Sequence, residues 1–158
     1  MIDIGAGKST LSKTILANYP KYERLSIDAT IATKHGIYNV DYPPEKYAEF
    51  QEEAADECEA KLIKLLEEGK KDIILDWSFY SRADRQKYEE LIEVHGGRWL
   101  VVYLRAKSRD FLWDRISKRK REGIGADSAY DVTRGMLDRY WDGFQAPEHE
   151  GEIVVDVE

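Results

Sequence analysis

Four short apolar runs, at Leu25–Asp28, Ile73–Asp76, Trp99–Leu104 and Ile153–Val157, are rich in β-branched residues and bounded by charge, Gly or Pro. That pattern predicts strands. Between them the apolar period changes to three and four. Ser9–Asn18 follows a glycine turn and is stopped by Pro20, and Glu45–Glu68 starts after Pro43-Pro44 and ends at Gly69. In the second stretch Tyr47, Phe50, Ala54, Cys58, Leu62, Leu65 and Leu66 recur on one helical face, which draws Cys58 into the apolar stripe. Arg82–Val94, Ser108–Arg121 and Val132–Phe144 complete the predicted helices, the first of them ending at Gly96-Gly97. Strands alternating with helices imply an α/β fold, a doubly wound parallel sheet with helices on both faces. In such sheets ligands sit beyond the carboxyl ends of the strands.

Composition narrows the picture. At 158 residues, without a linker, low-complexity tract or repeat, the chain reads as a single domain over 1–158. Apolar residues make up 42% and the net charge is −7, so the chain is too apolar for disorder. The acidic balance argues against a nucleic-acid partner. No apolar run approaches the roughly 18 residues that span a bilayer, and the opening segment lacks a signal peptide's basic and apolar parts. A soluble, cytoplasmic protein without a membrane partner is expected. The one cysteine, Cys58, rules out an internal disulfide and a Cys-rich zinc site, and His35, His95 and His149 lack ligand spacing.

The strongest chemical signal is Gly5-Ala6-Gly7-Lys8-Ser9-Thr10. A phosphate cradle needs glycines for close backbone approach, a lysine for the terminal phosphates, a hydroxyl for Mg²⁺ and a helix start behind it. The full pattern also has a glycine five residues before Gly7, where this chain has Ile2. The strand that normally leads into such a loop is not seen in the sequence. Asp76 closes the run Ile73-Ile74-Leu75, an arrangement that delivers one carboxylate to metal or substrate. Trp77, Phe79 and Tyr80 follow as an aromatic lip or as core, with Arg82 and Arg85 on the next helix. Arg115 and Arg119 share a helix face, beside Arg109, Lys118, Lys120 and Arg121.

Taken together, G-A-G-K-S-T at 5–10, L-S-I-D at 25–28, I-I-L-D-W-S-F-Y-S-R-A-D-R at 73–85 and the arginine helix at 109–121 resemble the P-loop kinases, in particular the group of polynucleotide 5'-hydroxyl kinases and zeta toxins. The resemblance implies strand order 2-3-1-4-5 with strand 1 truncated or absent, a lid over about 107–130, and ATP with Mg²⁺ as cofactors. It makes Lys8, Asp28, Arg115 and Arg119 catalytic and gives the nucleotide to Gly5, Ala6, Gly7, Lys8, Ser9 and Thr10. Asp28, Asp76, Trp77 and Arg82 become substrate contacts, and Ser9 and Asp76 metal ligands. The residues after Asp28 are Ala29, Thr30 and Ile31, so the basic residue that polynucleotide kinases place there is missing. The implied reaction is transfer of the terminal phosphoryl group to a hydroxyl of a small metabolite, nucleoside or sugar nucleotide. Two alternatives stand beside it: a nucleotide-binding or structural relic impaired by the altered loop, and a polynucleotide 5'-kinase. In that strand order a gap lies between Ile73–Asp76 and Trp99–Leu104. It is filled by Met1–Ile4 as a stub, by direct closure of the flanking strands, or by a second subunit of a homo-oligomer.

Overall fold

Gly7 turns the backbone left-handed (φ +105°), and helix α1 (Lys8–Asn18) begins at the next residue and runs to Asn18, two residues short of Pro20. The computed structural model of the protein describes residues 5–122 and 132–158. Strand β1 (Tyr22–Leu25) comes next, and Ser26 then caps helix α2 (Ile27–His35) by accepting a hydrogen bond from the Ala29 amide. The predicted strand over Leu25–Asp28 is therefore corrected. The strand stops at Leu25 because the Ser26 hydroxyl offers the chain a helix start, and Asp28 lies in the first helical turn.

A 3₁₀ turn at Pro44–Lys46 leads into α3 (Tyr47–Glu68), which closes on Gly69 at φ +61°. The predicted stripe is observed, with Ala54, Cys58 and Leu62 buried. Strand β2 (Asp72–Leu75) lies parallel to β1 with Leu25 opposite Leu75. Helix α4 (Arg82–Val94) opens with a capping box in which Ser81 and Asp84 exchange hydrogen bonds with each other's backbone. Strand β3 (Val102–Ala106) lies two to three residues later than predicted and pairs in parallel with β4 (Ile153–Val157). Between them run α5 (Arg109–Glu122) and α6 (Arg134–Gly143), the latter capped by Thr133.

The strands form two parallel pairs, β1 with β2 and β3 with β4. Direct closure of β2 on β3 does not occur among the described residues. The stub expected at 1–4 lies outside them. What joins the halves is side-chain packing: Ile74 of β2, Leu104 and Ala106 of β3, Leu112 and Ile116 of α5, Leu137 of α6 and Ala6 of the glycine turn share one core cluster. A second cluster of Leu25, Cys58, Leu62 and Trp77 lies between β1, β2 and α3. A third, of Ile31, Tyr42 and Ala54, ties the segment before α3 to α2. Each fully buried aliphatic side chain stabilises the fold by about 1.5–3 kcal/mol relative to exposure. No helix among the described residues is long and apolar enough to cross a membrane.

Candidate active site

The glycine turn is shaped as an anion cradle. Gly5 and Gly7 both have positive φ, +87° and +105°, a conformation that strongly favours glycine. Among the described residues the first turn of α1 has no acidic residue and no side-chain cap, so its leading amides keep their positive field. Lys8, Ser9 and Thr10 form that turn, and Ala6 is buried beneath it. The Ser12 hydroxyl is turned back to the Lys8 carbonyl at 2.9 Å.

Helix α5 braces this turn. A Cβ on Gly5 would come within 3.0 Å of Ile116 Cγ1, and one on Gly7 within 3.4 Å of Arg115 Nη2. Consecutive residues thus do different work: Ile116 packs under the loop while Arg115 lays its guanidinium against it. The Arg115 guanidinium also sits 5.5 Å from the centroid of the Phe111 ring, which limits its swing. Arg119 lies one turn further along the same exposed face. Of the lid expected over 107–130, the part carrying Leu112 and Ile116 belongs to the core. The glycine loop at Gly123–Ala126 lies outside the described residues.

The strand-end carboxylates look different. Asp76 is buried, and Arg24 donates to its Oδ2 from Nε at 2.9 Å and from Nη2 at 2.6 Å. The side chains of this pair are only 10% and 2% exposed, and Nη2 also reaches the Ser26 hydroxyl at 3.4 Å. Asp76, expected as a metal or substrate ligand, thus has its charge met by a guanidinium in a dry setting. Among the described residues no group of three His, Cys, Asp or Glu side chains could hold a metal ion. Trp77, expected as a substrate contact, is 6% exposed and packs edge-on to Tyr88 in the second cluster.

Arg82, expected at the substrate, has its Nε 3.9 Å from Glu150, and its amide donates to Gln145 Oε1. Its neighbour Arg85 is buried and makes a two-nitrogen bond to Glu150 at 2.6 and 2.8 Å. It also donates to the carbonyls of Phe79 and Gln145. The Arg85 hydrogen bonds hold the Glu150 carboxyl below the usual carboxylate range. Asp28 is on α2 beside Tyr42, and the two are close enough that the Asp28 charge adds to burial in raising the Tyr42 phenol.

Sequence reasoning missed one residue here, Arg24. Arg24 carries no local signal, since its partner lies 52 positions away. A cavity of about 470 Å³ runs along the open edge of β1, where Leu16, Arg24, Thr30, Cys58 and Lys61 line it. Neither the glycine turn nor Asp28 contributes to that wall.

Two left-handed glycines opening a helix with a lysine, on parallel strands linked through helices, define a P-loop NTPase-like domain. A model of the AAA domain family matches residues 4–147, and the chain belongs to that family. Among solved structures it is similar to one described as a "putative kinase" from Chloroflexus aurantiacus J-10-fl. The identity is 19% and the TM-score 0.71, with 96% of this chain and 82% of the other covered, a likeness of fold. No curated protein matches. The family model and the fold together make the chain a P-loop NTPase-like AAA domain.

Proposed function

We propose that the protein is an ATP-dependent phosphotransferase that moves the terminal phosphoryl group of ATP to a hydroxyl of a small metabolite, nucleoside or sugar nucleotide. One observation carries this reading: the Arg115 guanidinium is packed against Gly7, at the mouth of a turn whose two glycines and leading helical amides all favour an anion. A structural glycine turn has no use for a cation held at that place.

ATP with Mg²⁺ supplies the transferable phosphoryl group and a divalent charge on its phosphates. The turn amides and Lys8 bind the phosphates. The Ser9 hydroxyl, from the first turn of α1, meets the cation, and Mg²⁺ fits because that ion keeps several waters and phosphate oxygens and needs few protein ligands. Arg115, with Arg119 a turn away, neutralises charge on the transferred group. Asp28, in the first turn of α2, accepts the proton of the acceptor hydroxyl. The net charge of −7 and the Ala29-Thr30-Ile31 sequence after Asp28 favour a small acceptor over nucleic acid.

Calorimetric titration of Mg²⁺-ATP into the full chain tests the reading. Saturable binding is expected for the wild type and its loss in Lys8→Ala. Equal binding by the two proteins would remove the phosphate cradle from the account.

A further inference from the structure

Tyr42 is 7% exposed, and its hydroxyl, wholly buried, has no hydrogen-bond partner among the described residues. A buried phenol normally finds one, because leaving a donor unpaired away from water is costly. The ring itself is held in place by edge-on contacts with Tyr38 at 6.1 Å and Phe50 at 5.0 Å.

The segment that carries Tyr42 is bonded to itself. Gly36 and Asn39 take positive φ of +87° and +57°. The Ile37 amide donates to Asp41 Oδ2 at 2.6 Å, and the Asn39 amide donates to the Tyr42 carbonyl at 2.9 Å. Val40, at its tip, is 76% exposed. Beneath this segment Ile27, the neighbour of Asp28, packs against the clusters containing both Tyr42 and Trp77. Ile27 and Ile31, which flank Asp28 on α2, both pack in the cluster of Tyr42, so the unpartnered phenol and Asp28 belong to the same end of α2, past the carboxyl end of β1 where a ligand is expected.

Resting on the phosphotransferase reading above, we infer that Tyr42 and Asp28 together form the seat of the acceptor hydroxyl, the phenol donating to the acceptor oxygen while the carboxylate accepts its proton. In the step, the acceptor oxygen bonds to the γ-phosphorus and the bond from that phosphorus to the β,γ-bridging oxygen breaks. The electron pair leaves with ADP, and the hydroxyl proton passes to Asp28. Tyr42 stays neutral throughout and orients the nucleophile.

The charges around the seat define its occupant. Asp28 and Asp41 are both acidic, while Lys34 is bound to Glu53 and Glu57, and His35 to Glu53. The seat suits an alcohol that is neutral or carries an amine, and it disfavours one with an anion next to the hydroxyl.

The test uses the full chain as wild type, Tyr42→Phe, Asp28→Asn and the double variant. Water is the acceptor, and the readouts are Mg²⁺-ATP affinity, steady-state ADP release and thermal unfolding. Tyr42→Phe should keep the ATP affinity and unfold no earlier than the wild type. Its kcat for ADP release should fall about tenfold with KM for ATP unchanged. The double variant should be no slower than Asp28→Asn alone, since the two groups act on one oxygen. Wild-type ADP release in Tyr42→Phe overturns the inference, and so does a lowered unfolding midpoint, which would mean that the hydroxyl serves the fold. Mg²⁺-ATP binding without ADP release from the wild type overturns the inference alone. Absence of Mg²⁺-ATP binding removes the phosphotransferase reading and this one with it. Ethanolamine should accelerate ADP release more than glycolate of similar size, and equal or reversed rates overturn the assigned charge preference.

Discussion

The glycine turn and the strand-end pair Arg24–Asp76 both carry charge that the sequence offers to a substrate, yet the structure treats them in opposite ways. At the turn, positive φ values, uncapped amides and the Arg115 guanidinium all point the same sign toward one place. At the strand ends, opposite charges meet at 2.6 Å in a setting only a few per cent exposed. A site whose like charges converge is incomplete without an anion, whereas one whose charges cancel is complete already. The first is the site of the proposed phosphoryl transfer. The second holds β1 and β2 in register, a task helped by the Asp76 amide donating to the Leu25 carbonyl at 2.9 Å.

The largest effect expected is at the cancelled pair. Asp76→Ala leaves the buried Arg24 guanidinium uncompensated and should lower unfolding stability by about 3–5 kcal/mol, read from urea midpoints. A loss of less than ~1 kcal/mol would erase the contrast. Next comes the turn. Lys8→Ala should slow phosphoryl transfer by about 10²–10³ while leaving the urea midpoint in place, an effect of about 2.7–4 kcal/mol on the barrier. Loss of fold there would mean that Lys8 is structural. Gly5→Ala should cost about 1–3 kcal/mol, from a positive φ and a Cβ pressed on Ile116, and it would sharpen the contrast by showing that the turn is held in its unusual shape by packing.

The smallest effect concerns Glu89. Its Oε1 is buried without a hydrogen-bond partner among the described residues, and burial, then the charge of Glu150, pushes its carboxyl above the usual range. A carboxyl raised on folding stabilises the fold only while protonated, below its unfolded pKa, and that contribution is lost as pH rises through the folded value. Glu89→Gln should therefore raise the unfolding midpoint slightly at pH 7 and have little effect in acid. A lower midpoint at pH 7 would contradict the assignment.

The turn was legible because its chemistry lies in the backbone. Glycine spacing, a lysine and a helix start are local properties, and all three survive folding unchanged. Helix α4 was legible for the same reason, being framed by the Ser81 cap and by Gly96 and Gly97. Asp28 was misread as a strand end because the apolar run continues through Ile27, whereas Ser26 had already begun a helix. A capping hydroxyl competes with strand periodicity, and here it won. The surroundings of Asp76 and Trp77 were not legible for another reason. Whether a strand-end carboxylate faces solvent or a guanidinium depends on the register of β1 against β2. Whether an indole is lip or core depends on α3 and α4 closing over it. Neither can be read from residues 73–85 alone.

Ile116 and Arg115 adjoin on α5, and Leu112, one turn earlier, is fully buried. To carry the Arg115 backbone away from Gly7, the helix would have to pull both aliphatic side chains out of the interior. The charge beside the glycines is thus preset, delivered by rigid packing and present before any nucleotide arrives. The proposed phosphoryl transfer would therefore have no arginine insertion to wait for.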